Sequence, residues 1–378
     1  MLIITGITLF IGITLISPLS ALTTYQQGDI FPVGYQEKYL GNSGAALAGE
    51  VGNAIYNPGA HCFSNKIGTS SAGGISLVSM NAPNLSQTDK ISSTLAYMAI
   101  QKSSKKTSFI FYANSPFSME GKWGNGWATK LDHFGIGASL ARKFNGRWGI
   151  GLSTEIARER LMIDIRNSII TENEITDITM SMENTFLFIK TRAGLFVPIN
   201  HRWNFGFRLT PPLISIKSEQ QTSSQILSSH NGKTYSYSSS DQYSNPVTSP
   251  WDALVGVNFL ATSYWKILID VGHIFTYHSS YDLLGNNNNE ELINAQWRIS
   301  IGSTWQFSNN YSLLFGSAYK FRKEIDNFGN SPDEIYRLFT AGIAYKRPQH
   351  ELIVGGFINN SEDTSKIIGI NISTMYYF

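Results

Sequence analysis

Read at every second residue, the chain from position 67 to Phe378 is a succession of stretches with one apolar and one small or polar face. In "QWRISIGSTWQF", Trp297, Ile299, Ile301, Ser303, Trp305 and Phe307 fall on one side, and Arg298, Ser300, Gly302, Thr304 and Gln306 on the other. In "RWGIGLSTEI", Trp148, Ile150, Leu152, Thr154 and Ile156 oppose Gly149, Gly151, Ser153 and Glu155. Successive side chains of a strand point to opposite faces, so a period of two predicts strands. Fourteen are expected, the first seven at 67–79, 90–101, 105–115, 131–144, 147–165, 180–197 and 202–217. The others fall at 250–262, 264–278, 294–307, 310–323, 335–346, 349–359 and 364–378. Trp148, Trp203, Trp251, Trp297, Trp305, Phe307, Tyr376 and Phe378 sit near strand ends. An apolar band bounded by aromatic girdles and backed by a polar face is the pattern of a transmembrane barrel. A soluble sandwich also alternates, but does not need strands this long throughout.

The connections narrow the choice. "NG", "NHR", "TS", "SN" and "RP" separate strands 4 and 5, 6 and 7, 8 and 9, 10 and 11, and 12 and 13. The remaining connections are longer: 80–89, 116–130, 166–179, 218–249, 279–293, 324–334 and 360–363. Tight turns alternating with long polar loops match periplasmic turns and extracellular loops. An even strand count returns both termini to the periplasmic side, and closure leaves no unpaired edge in lipid. The expected fold is all-β: a 14-stranded antiparallel transmembrane β-barrel in the bacterial outer membrane, spanning 67–378, with an N-terminal plug or hatch segment before it. Strand 14 ends on Phe378, with Tyr376 two residues earlier on the same lipid-facing parity. This resembles the C-terminal assembly signal of outer-membrane proteins and implies the assembly machinery and outer-membrane lipid as partners.

Composition agrees. The chain has 33 Gly, 22 Phe and 18 Tyr, while charged residues make up 15% and balance to +2, which leaves no footprint for nucleic acid. Cys62 is the single cysteine, so an intramolecular disulfide and a multi-cysteine metal site are excluded. Residues 1–24 carry no charged side chain. A membrane anchor and a secretory signal both fit such a run. Pro18, Ser20 and Ala21 favour a signal peptide over 1–21, although no basic residue precedes it.

Residues 22–66 break the barrel pattern. "YLGNSGAALAGEVGNAIYNPGAHCF" is rich in small residues and ends in an Asn-Pro turn, suited either to a periplasmic leader or to a plug inside the barrel. Gly41, Gly44, Ala45, Ala46 and Ala48, followed by Ala54, Ile55, Tyr56, Asn57 and Pro58, resemble the N-terminal stretch of FadL/OmpP1/TodX-type hydrophobic-compound transporters. The sequence departs at Gly59, where that family usually has Ala. The resemblance implies a 14-stranded barrel with an N-terminal hatch, ligands bound in the lumen, and a lateral exit at a kinked third strand. It assigns the hatch turn to Asn57, Pro58 and Gly59. The kink falls on Asn114 and Pro116 in "FIFYANSPFSMEGKW", where Pro116 either breaks the ladder or simply opens an outer loop.

No catalytic constellation is present. Asp132 and His133 are adjacent and point to opposite faces of a strand, as do His273 and His278, five apart. No nucleophile elbow, zinc-protease or phosphate-loop motif occurs. Arg158, Glu159 and Arg160 read as a solvated rim at the outer end of strand 5. Glu155, Asp270 and Arg298 read as lumen-lining. The chain is therefore expected to be no enzyme, with no catalytic residue, metal or cofactor. The leading function is passive uptake of hydrophobic small molecules such as long-chain fatty acids. An outer-membrane scaffold or surface antigen, and a general porin, are the alternatives.

Overall fold

The computed structural model describes residues 34–64, 67–81, 92–115, 118–123, 127–171, 174–230, 233–243, 249–280, 290–293, 295–323, 333–361 and 366–378. The expected signal peptide, residues 22–33 and Pro116 lie outside them.

The strands run in chain order. β1 (Gly68–Asn81), β2 (Ser92–Ser103), β3 (Thr107–Asn114), β4 (Ser118–Trp123) and β5 (Trp127–Phe144) come first. Next are β6 (Trp148–Thr171), β7 (Glu174–Pro198), β8 (Trp203–Thr210), β9 (Ile214–His230) and β10 (Lys233–Tyr243). β11 (Asp252–Thr262), β12 (Trp265–Ile274), β13 (Tyr277–Ser280), β14 (Glu290–Ile293) and β15 (Gln296–Gln306) follow. β16 (Tyr311–Lys323), β17 (Asp333–Lys346), β18 (His350–Ser361) and β19 (Lys366–Tyr377) complete the chain.

These segments build a closed 14-stranded antiparallel barrel. β3 and β4 pair with β5 as one interrupted wall strand, and β8 and β9 pair with β7 in the same way. β8 also pairs with β11, which carries the wall onward. Closure comes from β1 against β19, in a ladder running from Ser70↔Tyr377 to Asn81↔Lys366. In hydrocarbon every backbone N–H and C=O needs an internal partner, so this last ladder removes the only free edges.

The parity read from the sequence is the parity observed. In β19, Ile368, Ile370, Ile372 and Tyr376 are exposed, while Ile367, Gly369, Asn371, Ser373 and Met375 are buried. In β15, Trp297, Ile299, Ile301 and Trp305 face outward, and Arg298, Ser300 and Gly302 inward. Trp297 and Trp305 bracket about 26 Å of strand at ~3.3 Å per residue, the scale of the apolar band of such barrels. The outward face is stabilised by lipid and the inward face by hydrogen bonds and packing.

Three of the expected loops are largely strand instead, the first being 116–130, where β4 and the start of β5 occupy 118–123 and 127–130. Residues 166–179 continue the β6–β7 ladder to Thr171↔Glu174. Most of 218–249 forms the β9–β10 hairpin, with β9 paired to β7 from Ile189↔Ile214 to Glu174↔His230. Beyond the bilayer a strand need not be apolar on its outer face, so the Ser- and Gln-rich composition of β9 concealed it. Arg158, Glu159 and Arg160 consequently lie mid-strand rather than at a rim. Glu159 is buried and bonds His133 Nδ1 at 2.7 Å, while Arg160 pairs with Glu183 on the outward face.

Ile301 lies midway between the two tryptophans. Ile301→Arg is expected to lower stability in a bilayer by about 2–4 kcal/mol. Ser303→Thr, on the same face, should stay within ~0.5 kcal/mol. Urea-unfolding midpoints in lipid vesicles test both.

Candidate functional site

Residues 34–64 contribute nothing to the wall and pack against its inward face. They contain a 3-10 turn (Glu37–Tyr39), the short helix α1 (Asn53–Tyr56) and a second 3-10 turn (His61–Phe63). Gly, Ala and Asn dominate because the backbone itself makes the contacts, and a bulkier chain would be held off the wall. Tyr35, Tyr39, Leu40, Val51 and Ala54 join inward residues of the barrel, including Tyr97, Tyr112, Leu268, Leu314 and Ile353, in one buried cluster.

The seat is lined by glycines of the wall. A Cβ at Gly149 of β6 would come within 2.6 Å of Gly59 O and Cys62 Sγ. At Gly194 of β7 it would meet Gly59 N and Pro58 Cδ at 2.7 Å. At Gly302 it would meet Leu40 O at 2.8 Å, and at Gly342 and Gly355 the ring of Tyr39 at 2.8 and 2.9 Å. Gly151, Gly206 and Gly316 are covered still more closely, by Pro58, Ala45 and Gly41. Real Cβ contacts this short do not occur, so the wall admits the segment only where it has no side chains.

Asn57, Pro58 and Gly59 fill the notch made by Gly149, Gly151 and Gly194. Asn57 is fully buried. Its Nδ2 donates to Ala45 O (2.6 Å) and Leu195 O (2.9 Å), and its Oδ1 accepts from Gly59 N (3.0 Å). One side chain thus ties two parts of the segment to the wall. The Gly59 departure has a physical reason: a Cβ there would lie 2.7 Å from the carbonyl oxygens of Gly149 and Gly194. Asp270 of β12 holds the same region from the other side, accepting from Gly44 N (2.7 Å) and Ala45 N (3.0 Å). Cys62 is a buried thiol that donates to Gly59 O (3.3 Å).

A break in the wall lies beside this seat. β2 pairs with β3 up to Tyr97↔Asn114, and β3 with β5 up to Asn114↔Gly135. Pairing to β5 resumes at Ser118↔Asp132, so four steps along one strand face three along the other, and one residue is extra. Among the described residues the chain is strand again from Ser118. Among the described residues, β4 forms no ladder with β2. Asn114 is buried, and Ser115 Oγ donates to His133 O at 2.8 Å.

Behind the break stands a polar belt. Arg192 Nη2 donates to Glu155 Oε2 (2.8 Å) and Nη1 to Tyr112 OH (3.2 Å), and His133 lies between Glu155 and Glu159. Tyr97 OH donates to Val51 O at 2.7 Å, joining the segment to the edge of the break.

Outward of this belt the two faces exchange chemistry. On β6, Gly149, Gly151, Ser153 and Glu155 give way on the inward face to Leu161, Ile163 and Ile165, while outward Ile150, Leu152 and Ile156 give way to Arg158, Arg160 and Asp164. β7 does the same: Phe188, Phe186, Met182, Met180 and Ile178 share its inward parity. The mouth of the barrel therefore has an apolar inner wall on this side. Opposite, Arg298 and Lys320 are inward, buried cross-strand partners, two residues outward of the Asp270↔Ser300 pair.

Of the residues singled out in the sequence, Asn57, Pro58 and Gly59 meet the wall together and Asn114 stands at the break. Tyr376 and Phe378 are exposed on the lipid face, with the Tyr376 ring tilted against His350 at 4.8 Å. Asp270, Gly149 and Gly194 were not picked out as partners of the segment. Glycine on the inward parity of strand after strand was the available signal. Among the described residues no group of three or more His, Cys, Asp or Glu is placed to hold a metal.

No family profile and no curated protein matches the sequence. Solved structures do. The monoaromatic hydrocarbon channel CymD superposes with a TM-score of 0.69 at 12% identity, over 92% of this chain and 97% of its own. The Ralstonia pickettii toluene transporter TbuX gives 0.68 at 11%, over 92% and 99%. A Pseudomonas aeruginosa FadL homologue gives 0.65 at 12%, over 91% and 98%. The chain has the FadL-type fold. A closed antiparallel barrel with an apolar outer band is of the outer-membrane type. At this identity the FadL-type fold is shared while the side chains of the seat, the belt and the mouth are this chain's own.

Glu37 is fully buried in the segment and donates nothing, accepting from Tyr35 N at 3.0 Å. Burial pushes its carboxyl up to about 7. A folded-state value above the ordinary one means the docked segment is most stable below about pH 4.5 and loses stability as pH rises through about 7. Protease protection of residues 34–64 is expected to fall across that window by up to a few kcal/mol, and Glu37→Gln to flatten the fall. Gly59→Ala is expected to undock the turn, at a cost of about 1–3 kcal/mol from overpacking, read as raised single-channel conductance of a barrel with unchanged circular dichroism.

Proposed function

We propose that this barrel is an outer-membrane channel for uptake of hydrophobic small molecules, and that long-chain fatty acids are its substrate class. The observation that carries the reading is the exchange of faces on β6 and β7. A water-filled porin keeps its inner wall polar to the rim. Here the inner wall from the belt outward carries Leu161, Ile163, Met182, Phe186 and Phe188, mostly buried apolar side chains whose packing an apolar solute can join on leaving water. The neighbours of the same fold named for toluene and monoaromatic hydrocarbons support the transport class.

Arg298 and Lys320 support the finer assignment to a carboxylate. Arg298 lies within electrostatic reach of Asp270, and the two cationic side chains side by side on the inward face suit an anionic head group. The ligand's chain then lies along the apolar wall, as in a pocket fixed by few polar groups. Residues 22–66 act as the plug, with Asn57, Pro58 and Gly59 as its hatch turn. The ligand leaves sideways at the break around Asn114 and Pro116, where the β2–β3 ladder has already ended. Neither step makes or breaks a covalent bond.

A fluorescent long-chain fatty acid titrated into nanodisc-held barrel is expected to bind saturably and to compete with unlabelled acid. Arg298→Gln with Lys320→Gln should weaken the acid at least about tenfold and leave its methyl ester unchanged, a difference of ~1.4 kcal/mol or more. Asn57→Ala with Pro58→Ala should leave the barrel folded and reduce uptake; unchanged uptake removes the hatch role. Absence of saturable binding in a folded barrel would sink the transport reading in favour of a scaffold.

A further inference from the structure

The turn stretches at the short-turn end of the barrel carry only positive charge. Its turns and their flanks read "KSSKK" (102–106), "RKFNGR" (142–147), "NHR" (200–202), "SYWK" (263–266), "SNN" (308–310) and "KR" (346–347). These stretches hold ten lysines and arginines and no aspartate or glutamate. All ten are exposed except Lys143, which is half-buried and lies over the Phe63 ring at 4.3 Å. Lys346 approaches Glu351 at 3.7 Å, and Lys346 and Lys266 both lie within electrostatic reach of the Glu50 carboxylate. The loop end is the reverse: "TENEITD" (171–177), "SPDE" (331–334) and "SED" (361–363) concentrate acids there. A nearly neutral chain is thus strongly polarised along the barrel axis.

The position of the cations identifies what they face. Four of the turns emerge from an aromatic girdle: Arg147 precedes Trp148, Arg202 precedes Trp203, Lys266 follows Trp265 and Lys346 follows Tyr345. Trp148 is stacked on Phe144 (4.5 Å) and Trp203 on Phe259 (4.3 Å), which fixes the girdle. The guanidinium groups of Arg142 and Arg347 lie 5.4 Å from the rings of Phe144 and Tyr345. Girdle aromatics sit at the level of the lipid head groups. One or two residues further along a strand, at ~3.3 Å each, is the depth of the phosphates. The turns are too short to carry their charges away from the membrane plane, and a Debye length of about 8–10 Å includes the whole ring.

We propose that this rim binds anionic phospholipid head groups in the leaflet it faces. Phosphate oxygens accept from the exposed Lys and Arg donors, and the girdle rings hold the glycerol region just above. A rim shaped for an acidic protein would instead extend its cations on longer loops into the periplasm, clear of the head groups. The ring also anchors the barrel at a fixed depth, because moving any turn cation into hydrocarbon is opposed by its charge.

The full barrel in nanodiscs containing about one-third phosphatidylglycerol tests this, using brominated lipids to quench the girdle tryptophans. At equal mole fraction, brominated phosphatidylglycerol is expected to bind the annulus at least about twofold better than brominated phosphatidylcholine, and about 0.5 M NaCl to abolish the excess. Replacing Arg142, Arg147, Arg202, Lys266 and Arg347 by Gln should remove the excess, while Lys130→Gln with Arg158→Gln, in strand remote from the short turns, should keep it. Equal quenching by the two lipids in the unaltered barrel overturns the proposal and points to an acidic protein partner. An excess that survives the rim substitutions overturns it as well. If the fivefold variant does not fold, as judged by heat-shifted electrophoretic mobility, an excess that persists in salt is the overturning result.

Discussion

Closure of the β1–β19 ladder is the constraint from which the rest follows. Hydrocarbon offers no hydrogen-bond partner, and an unsatisfied backbone group there costs several kcal/mol. A sheet of this length therefore has to meet its own beginning. Once the edges are joined, the outward face is committed to lipid and the inward face to whatever can occupy a narrow lumen. Ser76 and Asn371, inward neighbours across the closing ladder, share a hydrogen bond of 2.5 Å, so the seam is sealed by side chains as well as backbone.

The inward face meets the N-terminal segment through absent side chains more than through matched ones. Wall glycines receive Pro58, Gly59, Ala45, Leu40 and Gly41, and Asp270 and Asn57 then fasten the peptide between Gly44 and Ala45 from both sides. Such a seat is steep in energy. Contacts of backbone on backbone cannot relax by rotating a side chain, so the segment is either seated or displaced, with little between. A fully buried Glu37 adds an acid-strengthened component to that two-state choice.

Strand number, parity and the short turns were legible because burial in lipid imposes the same rule on every crossing. Trp297 to Trp305 shows the rule residue by residue. The β9–β10 hairpin was not legible, since above the bilayer neither face has to be apolar, and Ser228, Ser238 and their neighbours carry no periodicity that composition can reveal. The seat was half legible. Gly149 and Gly151 were visibly on the inward parity, and "NPG" visibly a turn, but nothing local links positions about ninety residues apart. Asn114 could be flagged from Pro116 beside it. Whether the chain then left the wall or rejoined it depended on pairing with β5, a tertiary fact.

The exchange of faces on β6 leaves the molecule with two oily surfaces that belong to one continuous strand yet never touch. The outer one ends near Ile156 and the inner one begins near Leu161, with Glu155, Glu159, His133 and Arg192 between them on the lumen side. In capillary terms the belt is a wetting barrier. Membrane lipid following the wall inward at the β3 break meets this buried ionic belt first, which opposes its entry into the lumen.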